Sequence, residues 1–152
     1  MTSVELTKEH ILNVKNKLAI VIGILESRGI SHDNSKLEDP EVSIFDIYTD
    51  KLKLCTYGSE EYYRYLKSMK PALDHHYAKN AHHPEHYLDG ISGMTLIDIV
   101  EMFCDWVAAT ERHSDGNIYK SIDLNKDRFN IPEELCSIFK NTAREVFGKE
   151  LI

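Results

Sequence analysis

Residues 95–109, TLIDIVEMFCDWVAA, decide the fold class. The apolar residues Leu96, Ile99, Val100, Phe103 and Val107 fall at intervals of three and four, the period of a helix with one buried face. Thr95 offers a side-chain oxygen to the first free N–H groups, and Asp98, three residues on, stands at the reciprocal position of a capping box. The spacing predicts a helix running to about His113, where SDGN (114–117) marks a turn.

Working outward, the same period returns. From Thr7 to Arg28 the residues Ile11, Leu12, Val14, Leu18, Val21, Ile22 and Leu25 recur at helical spacing, with Thr7 as N-cap and Gly29 as stop. Asp39-Pro40 reads as a cap followed by proline at the first helical position, opening a helix through Ile44, Phe45 and Tyr48. Tyr57-Gly58 reads as a turn, and Ser59 caps an aromatic-rich helix. Pro71 is expected to kink or restart that helix, making PALDHHYAKN a separate run that ends before Pro84. Leu88–Gly93 reads as a loop. A short helix over Ser121–Arg128 and a last one from Pro132 to Phe147, stopped by Gly148, follow. No segment alternates with period two between turn signals. The expectation is an all-α protein of six or seven helices, one domain over residues 1–152.

Bulk properties narrow the function. A 42% hydrophobic and 28% charged composition is that of a folded globular chain, not a disordered one. A net charge of -7 argues against partners such as a nucleic-acid polymer or an anionic membrane, which call for a basic face. Cys55, Cys104 and Cys136 are odd in number, widely spaced and set among apolar residues, so free buried thiols are expected. MTSVELTKEH has neither the basic start nor the apolar run of a secretory leader, and Leu18–Leu25 is too short to span a bilayer. A cytoplasmic protein is expected, and a homo-oligomer is compatible with everything above.

The chemistry concentrates in His75–His86, HHYAKNAHHPEH, which holds five of the eight histidines. His10 sits in the first helix, and His32-Asp33 in the turn after it pairs an imidazole with a carboxylate, the two donor types that ligate divalent metals near neutrality. Asp98, Glu101 and Asp105 share one helix face. Asp98 reads first as the cap. Glu101 reads equally as a surface charge or as an acceptor that orients a ligand histidine. His75 aligns with His82 and His76 with His83 if the helix persists; if it unwinds at Asn80, His82 and His83 turn separately. His86 and His113 read as solvent-facing, and Trp106 as core.

This order of residues resembles the HD-domain superfamily of metal-dependent phosphohydrolases: HDNSK is similar to that family's HD-x-x-K, and CDWVAA to its last-ligand helix. More closely, HDNSKLEDPE, TYGSEEYYRYLK, HHYAKNAHHPEH, MTLIDIVEMFCDW and NKDRF resemble a small family of HD-like phage and bacterial proteins. The resemblance implies metal ligation by His10, His32, Asp33 and Asp105, with His76 and His83 or His82 added, and Asp33 bridging, if two ions are held. With one ion, a cluster histidine such as His82, backed by Glu85, would act as general acid or phosphate contact. Glu101 would assist, and Lys36, with Arg64 or Arg112, would meet the phosphate. The implied activity is hydrolysis of a nucleotide or related small phosphate compound by water activated on Mn, Fe, Co, Ni or Zn. Two alternatives stand beside it: a metal-stabilised module that binds a nucleotide or partner without turnover, and a di-iron oxygenase on the same scaffold.

Overall fold

In the computed structural model, residues 1–55, 59–112 and 114–150 are described; the turn expected at Tyr57-Gly58 and the side chain of His113 lie outside them. The described residues form six α-helices and three short 3-10 turns, with no strand, so the chain is all-α as expected. It divides into two units, Met1–His32 and Asp33–Ile152.

The first unit is α1 (Ser3–Ser31). It starts earlier than Thr7. Thr2 and Glu5 form a reciprocal capping box, and Thr7 lies inside the helix, its hydroxyl donating to the Ser3 carbonyl at 2.8 Å. The T-x-x-E signature was readable in the sequence; Thr7 only imitates it. Gly29 is likewise helical, and none of the helix's residues is buried. It is not apolar enough to cross a membrane, nor is any other described helix.

The second unit opens with a 3-10 turn at Asn34–Leu37, followed by α2 (Glu41–Leu54) and α3 (Glu60–Lys79). Ser59 caps α3 by accepting from the Tyr62 N–H at 3.1 Å. Helix α3 does not restart at Pro71; it passes through it. The missing N–H and the ring clash cost about 3 kcal/mol, and burial of Met69, Ala72 and His76 on both sides of the proline offsets that cost as α3 packs along α2. Two further 3-10 turns, Pro84–His86 and Gly90–Gly93, occupy the segment expected to be a loop and lead into α4 (Leu96–Thr110). Gly93 is required there, because a Cβ would lie 2.9 Å from Cβ of Tyr87.

Helix α4 has the expected cap. Thr95 and Asp98 satisfy each other's backbone N–H groups, and Tyr87 donates to the same Asp98 oxygen at 2.8 Å. Its buried face is turned slightly from the expected one: Met102, Phe103 and Val107 are buried, while Leu96 and Val100 are exposed. Helices α5 (Ile118–Phe129) and α6 (Glu133–Glu145) complete the core with Ile118, Tyr119, Ile122, Cys136, Phe139 and Ala143. Phe139 stacks on Phe103 at 4.7 Å, and Trp106 meets both rings edge-on. Of the three free thiols only Cys136 is buried; Cys55 is half-buried and Cys104 exposed, since Cys104 falls on the outer face of α4.

Ile122 is fully buried at the centre of this core. Ile122→Ala is expected to lower the unfolding free energy by about 2–5 kcal/mol, read as a shift of the urea midpoint at constant slope.

Candidate metal centre

The centre is built from the turn that opens the second unit, the end of α3 and the first turns after it. Asp33 adopts left-handed backbone (φ 56), which aspartate tolerates better than most residues. Lys36 donates to Oδ2 of Asp33 at 2.6 Å. That leaves Oδ1, a fully buried atom, directed at the histidines.

Helix α3 ends where Asn80 closes it. The Asn80 N–H and side-chain amide both donate to the His76 carbonyl, at 3.0 and 2.8 Å, and the amide also donates to Ser35 Oγ at 2.8 Å. The unwinding frees His82 and His83 to turn independently, the second of the two conformations the sequence allowed. As a result Asp33, His76, His82 and His83 each bring one ligand atom to within 4.8 Å of the others. Nε2 of His76 lies 2.9 Å from Nε2 of His83 and 3.4 Å from Oδ1 of Asp33; Nε2 of His82 lies 3.5 Å from that oxygen.

The outer nitrogens settle the protonation. Nδ1 of His76 lies 2.8 Å from Oε2 of Glu41, and Nδ1 of His82 lies 3.1 Å from Oε1 of Glu101. An ionised carboxylate only accepts, so each of these Nδ1 atoms carries a proton and directs the Nε2 side of its ring inward. His83 repeats the pattern more loosely, with Nδ1 3.9 Å from Oε2 of Glu85. The centre therefore gathers three imidazole nitrogens around one carboxylate oxygen, with further carboxylates outside them. This is the arrangement in which second carboxylates fix the tautomer of metal-ligating histidines.

Burial decides the charge state. It pushes His83 down to about 3, helped by the neighbouring His82 and His76 rings. It also lowers His76, helped by the Lys36 ammonium. For Glu41 burial works against ionisation, but hydrogen bonds with His75, Ser35 and His76 outweigh it and hold the carboxyl below its ordinary value. Near pH 7 His76 and His83 are thus neutral imidazoles, the form that ligates divalent cations, and Glu41 beside them is ionised.

The expected residues distribute as follows. Asp33, His76 and His83 meet, and His82, expected either as the alternative ligand or as an acid or phosphate contact, joins them. Asp105 brings a carboxylate oxygen within 4.8 Å of a His82 nitrogen. Glu101 serves His82 rather than the surface. Glu85 accepts from Arg128 at 2.7 Å, and Lys36 is paired with Asp33. His10 is exposed on α1, and His32 is the C-cap residue of that helix; both belong to the first unit. Arg64 pairs with Glu61 on the surface of α3. Outside the metal group, His75 Nδ1 bonds Oε1 of Glu41 at 2.7 Å, and exposed His86 bonds the Tyr77 carbonyl. Glu41 was missed, although it closes the element HDNSKLEDPE, because an acidic residue after proline at a helix start is accounted for by the helix dipole alone.

Residues 2–149 match the model of a family described as "Family of unknown function (DUF5662)". No curated protein and no solved structure matches the chain.

The lowered histidines predict acid sensitivity of the metal-free protein. Their folded pKa values lie below the unfolded value of about 6.5, so stability is complete above that pH. It falls as pH drops toward the folded values, about 3 for His83. Glu41 acts in the same direction at lower pH. In chelator, the melting temperature should be flat from about pH 8 to 7 and decline below about 6.5, less steeply in His83→Gln.

Proposed function

Starting from the fact that this chain belongs to the DUF5662 family, we propose that it binds a divalent transition-metal ion through Asp33, His76, His82 and His83. The bound ion serves the hydrolysis of a small phosphate ester, a nucleotide or related compound. The observation that supports the reading above all others is the convergence of one ligand atom each from Asp33, His76, His82 and His83, all within 4.8 Å of one another. A cation placed among them would be held by three imidazole nitrogens and a carboxylate oxygen at once. Three imidazoles and a carboxylate suit Mn, Fe, Co, Ni or Zn better than Mg.

A bound ion of this kind supplies Lewis acidity, acidifying a water and offsetting the charge that gathers on phosphoryl oxygens. The chain's own groups do the positioning. Glu41 and Glu101 hold His76 and His82 in the Nδ1–H tautomer and fix their rings. Lys36 occupies one oxygen of Asp33 so that the other points inward. Asp105, close to His82, is the further donor at the edge of the set. The likeness of HDNSK and CDWVAA to the metal elements of HD-domain hydrolases supports the same assignment.

The test is elemental analysis of the purified protein joined to a hydrolysis screen over nucleotides and other phosphate esters. Wild type is expected to carry stoichiometric divalent metal and to release phosphate or nucleoside. Glu41→Gln should weaken metal affinity roughly 10- to 100-fold, and Asp33→Ala and His82→Ala by more. Full metal content and full turnover in both alanine variants would sink the proposal. Tight nucleotide binding without turnover would identify the non-catalytic module, and paired iron with dioxygen-dependent turnover the oxygenase.

A further inference from the structure

Beside the centre lies a cavity of about 280 Å³ whose wall includes His83, Asp105, Tyr77, Ser121, Asn125 and Arg128. His83 belongs to the centre and Asp105 lies within 4.8 Å of its His82, so the cavity adjoins it. The opposite wall is one face of α5. Ser121, Asn125 and Arg128 are spaced i, i+4 and i+7 and stack along the cavity. Trp106 and Phe129 add apolar ring surface.

Arg128 is the cavity's cation. Its guanidinium lies 4.7 Å over the Phe129 ring, which orients the fork, and Tyr77 shares the same cavity wall. One arm donates to Oε1 of Glu85 at 2.7 Å. A carboxylate oxygen on a guanidinium occupies the place an oxyanion takes, and a phosphoryl group offers the fork a stronger bidentate match than one carboxylate oxygen does. Arg128 is well exposed, so the exchange carries little desolvation cost.

We propose that this cavity is the substrate-recognition site, with Arg128, assisted by Asn125 and Ser121, gripping one phosphoryl group of a small ligand and Glu85 as the exchangeable anion that holds the fork in its absence. The inference rests on the metal reading above and names what the site takes. The volume sets the size: about 280 Å³ is at the lower edge of small-molecule pockets. A single mononucleotide-sized molecule fits, its ring against Trp106 and Phe129; a cyclic dinucleotide is too large.

The experiment uses full-length protein loaded with Mn²⁺, its uptake verified by elemental analysis, and inorganic phosphate as the probe, followed by calorimetry and by ³¹P relaxation from the bound Mn²⁺. Arg128→Gln should retain Mn²⁺ and bind phosphate about tenfold or more weakly. Arg128→Lys should restore part of the loss, and Glu85→Gln should bind phosphate more tightly because the competing charge is gone. A merely structural Arg128–Glu85 pair would weaken binding in both Gln variants alike. A nucleoside 5′-monophosphate should compete with phosphate, and a cyclic dinucleotide should not. Mn²⁺-loaded Arg128→Gln with wild-type phosphate affinity overturns the recognition site and leaves the metal reading standing, as does displacement of phosphate by the cyclic dinucleotide for the size assignment. Failure of wild type to take up any divalent metal overturns the metal reading and this one with it.

Discussion

The second unit depends on one buried carboxylate. Glu41 has no solvent exposure, at the first turn of α2, and its two oxygens meet the Nδ1 atoms of consecutive histidines at the end of α3. Dehydrating a carboxylate costs several kcal/mol, recovered only when its lone pairs are fully engaged. The two imidazoles and Ser35 do this. The same contacts join α2 to α3 and to the 3-10 turn at 34–37. They also fix the His76 ring with its Nε2 facing Asp33. Packing and site geometry are therefore one constraint: removing the histidines strands the buried carboxylate, a loss of about 3–5 kcal/mol, and removing Glu41 leaves the imidazole N–H groups without their acceptor.

The inside of the centre obeys the opposite logic. Three imidazoles and a carboxylate are brought close together and largely dried, a local arrangement whose desolvation works against folding. Good cores do not collect such features, and natural proteins keep them where function requires them. Any ligand that binds the folded chain and not the unfolded one adds stability in proportion to its affinity and concentration. A cation at this point would offset that desolvation, so fold and ligand would stabilise each other. The left-handed backbone of Asp33 belongs to the same pattern: strain accepted at a turn in order to aim a carboxylate.

The fold was largely legible because helical period and capping chemistry are local. Thr95 with Asp98, and Ser59, behaved as their side-chain oxygens dictate. Errors came where a distant contact overrode local preference. Pro71 remained helical because burial on both sides outweighed one lost bond, and the face of α4 was misplaced by the apolar but exposed Leu96 and Val100. At the site, the unwinding at Asn80 and the supporting place of Glu101 were among the readings the sequence left open. Glu41 and Arg128 were not, for a physical reason. A glutamate at a helix start and an arginine near a helix end each have a sufficient local explanation, and only the tertiary structure shows that one meets two histidines and the other lines a cavity beside His83.

That leaves the density of histidines in His75–His86, which the helix geometry explains. Successive helical residues point about 100° apart, so His75 and His76 cannot serve the same centre from one turn. His76 turns inward while His75 binds the other oxygen of the same Glu41. Past Asn80 the chain is no longer helical, and adjacent His82 and His83 approach with ring centroids 4.3 Å apart, both lining the centre. His86 then ties the following turn to the last turn of α3 through the Tyr77 carbonyl. Three of the five imidazoles are donors and two are braces. A brace must be placed beside the donor it supports, so the histidines are crowded by geometry, and the crowding marks how little of α3 separates the buried glutamate from the centre it orients.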